Sequence, residues 1–132
     1  MPQELKFGPH TFQLGEEGVA IFTVVGVLQA AQAAEFDVAM RAWQEDRPAA
    51  VLIVNLTQAT SIDAKARKII MDGVSKAPYG ICLLNASFAM RAVVGLMLNA
   101  TRLLGRHLPH TFVDNEADAW AWARENTGTR TT

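Results

Sequence analysis

One cysteine, one tyrosine and three histidines leave this chain of 132 residues short of the side chains that carry most protein chemistry. Cys82 cannot form an internal disulfide, and a lone thiol supplies no zinc site. It lies in the apolar run Tyr79–Leu84, where it reads as a core thiol in a reducing compartment. There is no glycine-rich phosphate loop: Gly95 and Gly105 are isolated, and neither follows a strand. Ser87 stands in Asn-Ala-Ser-Phe-Ala and not in a Gly-x-Ser-x-Gly elbow, so it reads as a helix cap and not a nucleophile. Of His10, His107 and His110, the last two form a His-x-x-His pair split by Pro109 between a helix end and a strand start, too few ligands for a metal. Catalytic residues, metals and cofactors are therefore not expected.

Charge of one sign is lacking too. Twelve Lys and Arg against thirteen Asp and Glu give a net charge of -1, and the two signs are interspersed. Nucleic acid needs a concentrated basic face and is excluded as a partner. No apolar run approaches the roughly 18 residues of a spanning helix, and Met1–His10 lacks the apolar centre of a signal peptide. The expected location is the cytoplasm, and nothing supports peripheral membrane contact.

What is present is the composition and pattern of one α/β domain, with half of its residues hydrophobic. Residues 1–9 read as an N-terminal arm, 10–126 as the domain and 127–132 as a polar, frayed tail. His10–Leu14 alternates polar and apolar residues, Gly15–Gly18 supplies a turn, and Val19–Val25 is β-branched and aromatic, a hairpin pattern. Leu28–Asp46 is helical, with Phe36, Met40 and Trp43 on one core stripe, and Arg47-Pro48 ends it. Ala50–Val54 is a short buried strand. A polar connection follows, and Ser61 or Asp63 caps a helix that runs to about Lys76 and buries Ala66, Ile69, Ile70 and Val74. Tyr79–Leu84 is the next strand, Phe88 to about Gly105 the next helix and His110–Val113 the last strand. Asn115 then caps a helix over Ala117–Asn126 that turns Trp120 and Ala123, or Ala121 and Trp122, to the sheet. Pro-His-Thr-Phe occurs at residues 9–12 and again at 109–112, but the flanking residues do not match and no internal repeat follows.

The helix from Phe88 carries more apolar surface than one sheet can cover. Arg91, Asn99, Arg102 and Arg106 mark one narrow polar stripe, and Met90, Val93, Val94, Leu96, Met97, Leu98, Leu103 and Leu104 occupy the rest. A twin subunit, a neighbouring helix or an apolar ligand would cover the surplus.

The order ββαβαβαβα predicts a mixed sheet of about five strands with an N-terminal hairpin, right-handed parallel crossovers and about four helices. This order, with the progression from IVNLTQATSIDAKAR to LLNASFAMRAVVGLMLNATRLL and FVDNEADAWAWARE, resembles the SpoIIAA-like group of STAS domains, the fold of bacterial anti-sigma factor antagonists. It is most similar to the small stand-alone branch described as STAS/SEC14-like. Phosphorylatable members carry Asp-Ser-Ser/Thr-Gly at a helix start. Here Asp63-Ala64-Lys65-Ala66 replaces that motif and leaves no hydroxyl at the acceptor place, with Thr60 and Ser61 the nearest substitutes.

The resemblance implies a non-enzymatic regulatory or protein-interaction module, expected as a homodimer, with Asn55, Thr57, Ser61, Asp63 and Lys65 as its partner-recognition edge. The alternative is a carrier or sensor of a small apolar or lipid-like ligand. Its pocket would comprise Ser87, Phe88, Met90, Arg91, Val94, Met97 and Leu98, with Ser87 and Arg91 on an anionic head.

Overall fold

The computed structural model describes residues 3–15, 17–47, 49–77, 79–103, 105 and 108–127. Glu16, Pro48, Pro78, Leu104, Arg106, His107 and the tail from 128 onward lie outside the described residues. Six strands form one sheet: β1 (Gln3–Phe7), β2 (His10–Leu14), β3 (Val19–Leu28), β4 (Val51–Ile62), β5 (Gly80–Leu84) and β6 (His110–Val113). Four helices accompany them: α1 (Ala30–Gln44), α2 (Ala64–Lys76), α3 (Phe88–Leu103) and α4 (Glu116–Asn126). The strands lie side by side in chain order, antiparallel from β1 to β3 and parallel from β3 to β6.

Strand order explains where the helices lie. Three parallel crossovers that advance in one direction with one hand place α1, α2 and α3 on the same face. Beneath them sits the larger core, with Phe12, Phe22, Leu28, Phe36, Met40, Leu52, Leu56 and Met90 buried. The aromatic centre is tight: Phe22 and Phe36 stack with ring centroids 4.3 Å apart, and Phe12 meets Phe36 edge-on at 5.1 Å. After β6 the chain returns over the opposite face, where α4 sets the small residues Ala119 and Ala123 against Val51, Ile53, Cys82 and Leu84. Trp120 and Trp122 lie partly buried on either side. Asn115 caps α4 as expected, its Oδ1 accepting the Asp118 amide at 2.8 Å.

Three elements depart from the sequence reading. The segment read as an arm is a sixth strand: Gly8 takes φ 63° in the turn, Leu5 pairs opposite Phe12, and Phe7 is buried against Phe12 and Phe22. β3 continues to Leu28, so α1 starts at Ala30, where the Gln29 amide donates to Gln32 Oε1. The largest difference is β4, which does not stop at Val54 but runs to Ile62. Its second half pairs with Val25–Leu28, and two register shifts absorb the extra residues. The polarity of Thr57–Ile62 suggests a connection, yet from Gln58 to Ser61 exposed and half-buried residues alternate as in a strand, and Ile62 is buried. Ser61 is therefore a strand residue and caps nothing. Asp63 holds the N-cap position of α2 without a side-chain hydrogen bond to the helix.

The two Pro-His-Thr-Phe copies have different fates. His110 is exposed and its Nδ1 lies 2.9 Å from Leu108 O, whereas His10 is fully buried. The Val25 amide donates to His10 Nδ1 at 3.0 Å, so the ring proton sits on Nε2, which donates to Gln32 Oε1 at 2.8 Å. One side chain thus ties β2 to β3 and to the start of α1. Replacement by phenylalanine keeps the volume but strands the Val25 amide and leaves Gln32 Oε1 with the Gln29 amide as its one donor. His10→Phe is expected to lower unfolding free energy by about 2–3 kcal/mol in urea denaturation.

Between α1 and α2 there is no room for a methyl at Gly73, because it would run into Asp37 Oδ1, whose partner oxygen pairs with Arg41 at 3.1 Å. Gly73→Ala should destabilise by about 1–3 kcal/mol, read in the same denaturation experiment.

Candidate functional site

At the carboxyl ends of the parallel strands, polar side chains from separate segments meet. β4 extends beyond β5 here, so Asn55 is the last β4 residue paired to both neighbours. Its Oδ1 accepts from the Thr57 amide at 3.1 Å and from Thr57 Oγ1 at 2.6 Å. Asn85 follows the end of β5 and donates from Nδ2 to Thr57 Oγ1 at 3.1 Å. Asn85 has φ 57°, the left-handed region that asparagine tolerates better than other residues with a Cβ. The turn that ends β5 is thus shaped by the residue that reaches across to β4.

The same turn starts α3. Ser87 Oγ accepts the Met90 amide at 3.2 Å, the capping role expected of it. Arg91, one turn on, donates to Ala86 O at 3.4 Å, pairs with Asp114 at 3.1 Å and lies over the Phe112 ring at 5.2 Å. Arg91 thereby clamps α3 to the end of β6. Both ion-pair partners are well exposed, so the pair fixes geometry more than it stabilises. Phe88 projects from the first turn with 90% of its surface exposed.

The residues expected to act together divide into separate groups. Of the recognition set, Asn55 and Thr57 lie in the cluster just described. Ser61 lies further along β4, and the exposed Asp63 and Lys65 follow at the start of α2. Of the pocket set, Ser87, Phe88 and Arg91 surround the strand ends, and Met90 is buried in the core. Val94, Met97 and Leu98 instead line an apolar cavity beneath α2 and α3. Asn85 and Asp114 were not singled out as site residues. The cue for Asn85 was the strand-turn-helix passage Leu84-Asn85-Ala86-Ser87, where a residue of positive φ commonly serves.

Cys82 is buried on the α4 face, and burial pushes its thiol from 9.0 up to about 11. Burial, aided by Asp37, also pushes the Tyr79 hydroxyl well above its ordinary range. Neither group is poised for reaction at neutral pH. Among the described residues no three His, Cys, Asp or Glu side chains converge on a place for a metal ion. None of the described helices is long and apolar enough to cross a membrane.

Two outcomes follow. Asn85→Gly removes the bond to Thr57 but keeps the backbone free, whereas Asn85→Ala also meets left-handed strain, so the alanine variant should be less stable than the glycine variant by about 1 kcal/mol. A raised thiol pKa leaves less thiolate at any pH below it, so native Cys82 should resist iodoacetamide at pH 8 and react faster only toward pH 11 or on unfolding, followed by mass spectrometry.

No protein-family model matches the chain, and no curated protein does. Solved structures do. The anti-sigma factor antagonist SpoIIAA in its unphosphorylated form is similar with a TM-score of 0.60 at 14% identity, over 87% of this chain and 97% of that one. An uncharacterised Shewanella loihica protein of the DUF3478 family, with a SpoIIAA-like fold, gives 0.59 at 13% identity over 93% and 92%. A murine anion transporter, Solute Carrier 26 family member A9, gives 0.59 at 18% identity over 86% of this chain and 19% of the transporter. At these identities the likeness concerns the fold, and it agrees with the strand order, the parallel crossovers and the helix placement: this chain has the SpoIIAA-like fold of STAS domains.

Proposed function

We propose that the chain is a non-enzymatic STAS-like regulatory module that works by binding another protein at the carboxyl ends of β4 and β5. The observation that carries this reading is the exposed Phe88 beside the hydrogen-bonded Asn55, Thr57 and Asn85. An aromatic anchor within a preorganised polar rim is the usual makeup of a protein interface centre. From there the recognition edge continues along β4 through Ser61 to Asp63 and Lys65. The fold shared with anti-sigma factor antagonists supports the same class of role.

Regulation in this reading does not use the familiar acceptor position. The first turn of α2 offers Ala64 and Lys65 in place of a hydroxyl, and Thr60 and Ser61 belong to β4. The module also acts as a homodimer through the outer face of α3. Leu96 and Leu103 are 68% and 79% exposed there, and no charged residue interrupts the helix between Arg91 and Arg102. Ala92, Gly95 and Ala100 are small enough for a second helix to approach closely.

Cross-linking in extracts of the native host, with Phe88→Ser and Thr57→Lys as controls of unchanged circular dichroism, tests the partner surface. Wild type should capture one defined protein, and both variants should lose it; a partner retained by both would overturn the assignment. For the dimer, sedimentation equilibrium should give twice the chain mass for wild type and a monomer for Leu96→Glu. A wild type that is monomeric at micromolar concentration would remove that part of the reading.

A further inference from the structure

The cover of the main sheet face has a gap. Val54 lies on the central strand β4, flanked by β3 and β5, yet it is only half-buried. α2 packs closely on α1 but hardly touches α3. Under this gap is a cavity of about 70 Å3, with Val54, Leu83, Ile70, Val74, Val94 and Leu98 among its walls. No polar surface faces it. The Thr101 hydroxyl turns away to donate to Leu98 O at 2.7 Å. Above it, between the helices, runs an open groove of about 260 Å3. Met71 of α2 and Met97 of α3 line both spaces and form the partition between them.

The mouth has a charge of definite sign. Arg67, Lys68 and Asp72 line the groove. Two cations and one carboxylate give the mouth a net positive charge, and Arg67 has no ion-pair partner among the described residues. Its Nε is buried and has no hydrogen-bond partner among the described residues. A buried guanidinium donor without an acceptor is costly, and an anion in the groove would satisfy the Arg67 head once the side chain turns outward to meet it.

We infer that the cavity and its groove form a binding site for a medium-chain carboxylate, with the end of the alkyl chain beneath Met71 and Met97 and the carboxylate on Arg67. The cavity alone holds only a few methylene groups, so the remaining chain lies along the groove. The two unbranched methionines make such entry inexpensive, because they repack with little strain. This site is separate from the protein-binding surface at the strand ends. It also differs from a pocket around Ser87 and Arg91, whose polar atoms already have partners.

Sodium decanoate is the probe, and the methionine methyl groups of the full chain are the reporters. In protein labelled with 13C at the methionine methyls, decanoate should shift the Met71 and Met97 signals saturably, while the core residue Met40 stays in place. Affinity should fall as sodium chloride rises, since a contact at the mouth is screened. Arg67→Gln should weaken decanoate about tenfold and leave decanol, which lacks the charge, unaffected. Absence of saturable shifts, or shifts spread equally to Met40, would overturn the site. An affinity indifferent to both salt and Arg67→Gln would overturn the carboxylate contact. Leu96 of the proposed dimer face also lines the groove, so the titration is run on protein dilute enough to be monomeric, and Met71 and Met97 signals that fail to move with decanoate there would overturn the site whatever the dimer does.

Discussion

The pairing of β3 with β4 is the constraint on which the rest of the molecule depends. The ladder runs from Val19 opposite Val51 to Leu28 opposite Ile62, far beyond the point where β5 leaves β4 at Asn55. Because β4 continues alone on that side, α2 starts well past the end of β5, whereas α3 starts just after it. The two helices therefore begin at different levels over the sheet and meet poorly. The bonded group of Asn55, Thr57 and Asn85 closes the corner that this offset creates, and the gap over Val54 is its other product. Both places where the surface offers something to bind thus follow from the unequal lengths of two neighbouring strands.

Much of this architecture was legible because it rests on periodicity. The stripe of Phe36, Met40 and Trp43, the buried run ending in Leu84 and the cap at Asn115 are local patterns with local causes, and each lies where its pattern put it. Less legible was anything decided by a partner distant in sequence. Gln3–Phe7 alternates, but its polar residues gave no reason to prefer a strand until Phe7 found Phe12 and Phe22. Thr57–Ile62 has the polarity of a loop and is extended only because β3 is long enough to pair with it. The two copies of Pro-His-Thr-Phe show the limit most plainly, since one histidine is sealed in the core and the other faces solvent.

Site residues divided in the same way. Residue type pointed correctly to the capping role of Ser87 and to a structural role for Cys82, each of which depends on near neighbours. Grouping Ser87 and Arg91 with Val94, Met97 and Leu98 treated the helix as one face, although its first turn looks toward the strand ends and its middle covers the sheet. Arg91 is engaged by Asp114 and Phe112 from another segment, which spacing along α3 could not disclose. Arg67 reads from its spacing as a solvated charge of α2, together with Lys65, Lys68 and Asp72, whereas the fold half-buries it and leaves its Nε without a partner among the described residues.

Strand order that repeats chain order has a kinetic meaning. Each of the three parallel pairings joins segments about thirty residues apart, and among the described residues no strand pairing joins the first strand to the last. Loop-closure entropy grows only slowly with length, so the three closures cost nearly the same and can be met one after another. The molecule can be assembled as successive strand-helix-strand units on a growing sheet, with modest contact order for a structure built largely on parallel pairing. A chain arranged in this way can form its first units before its last residues are available.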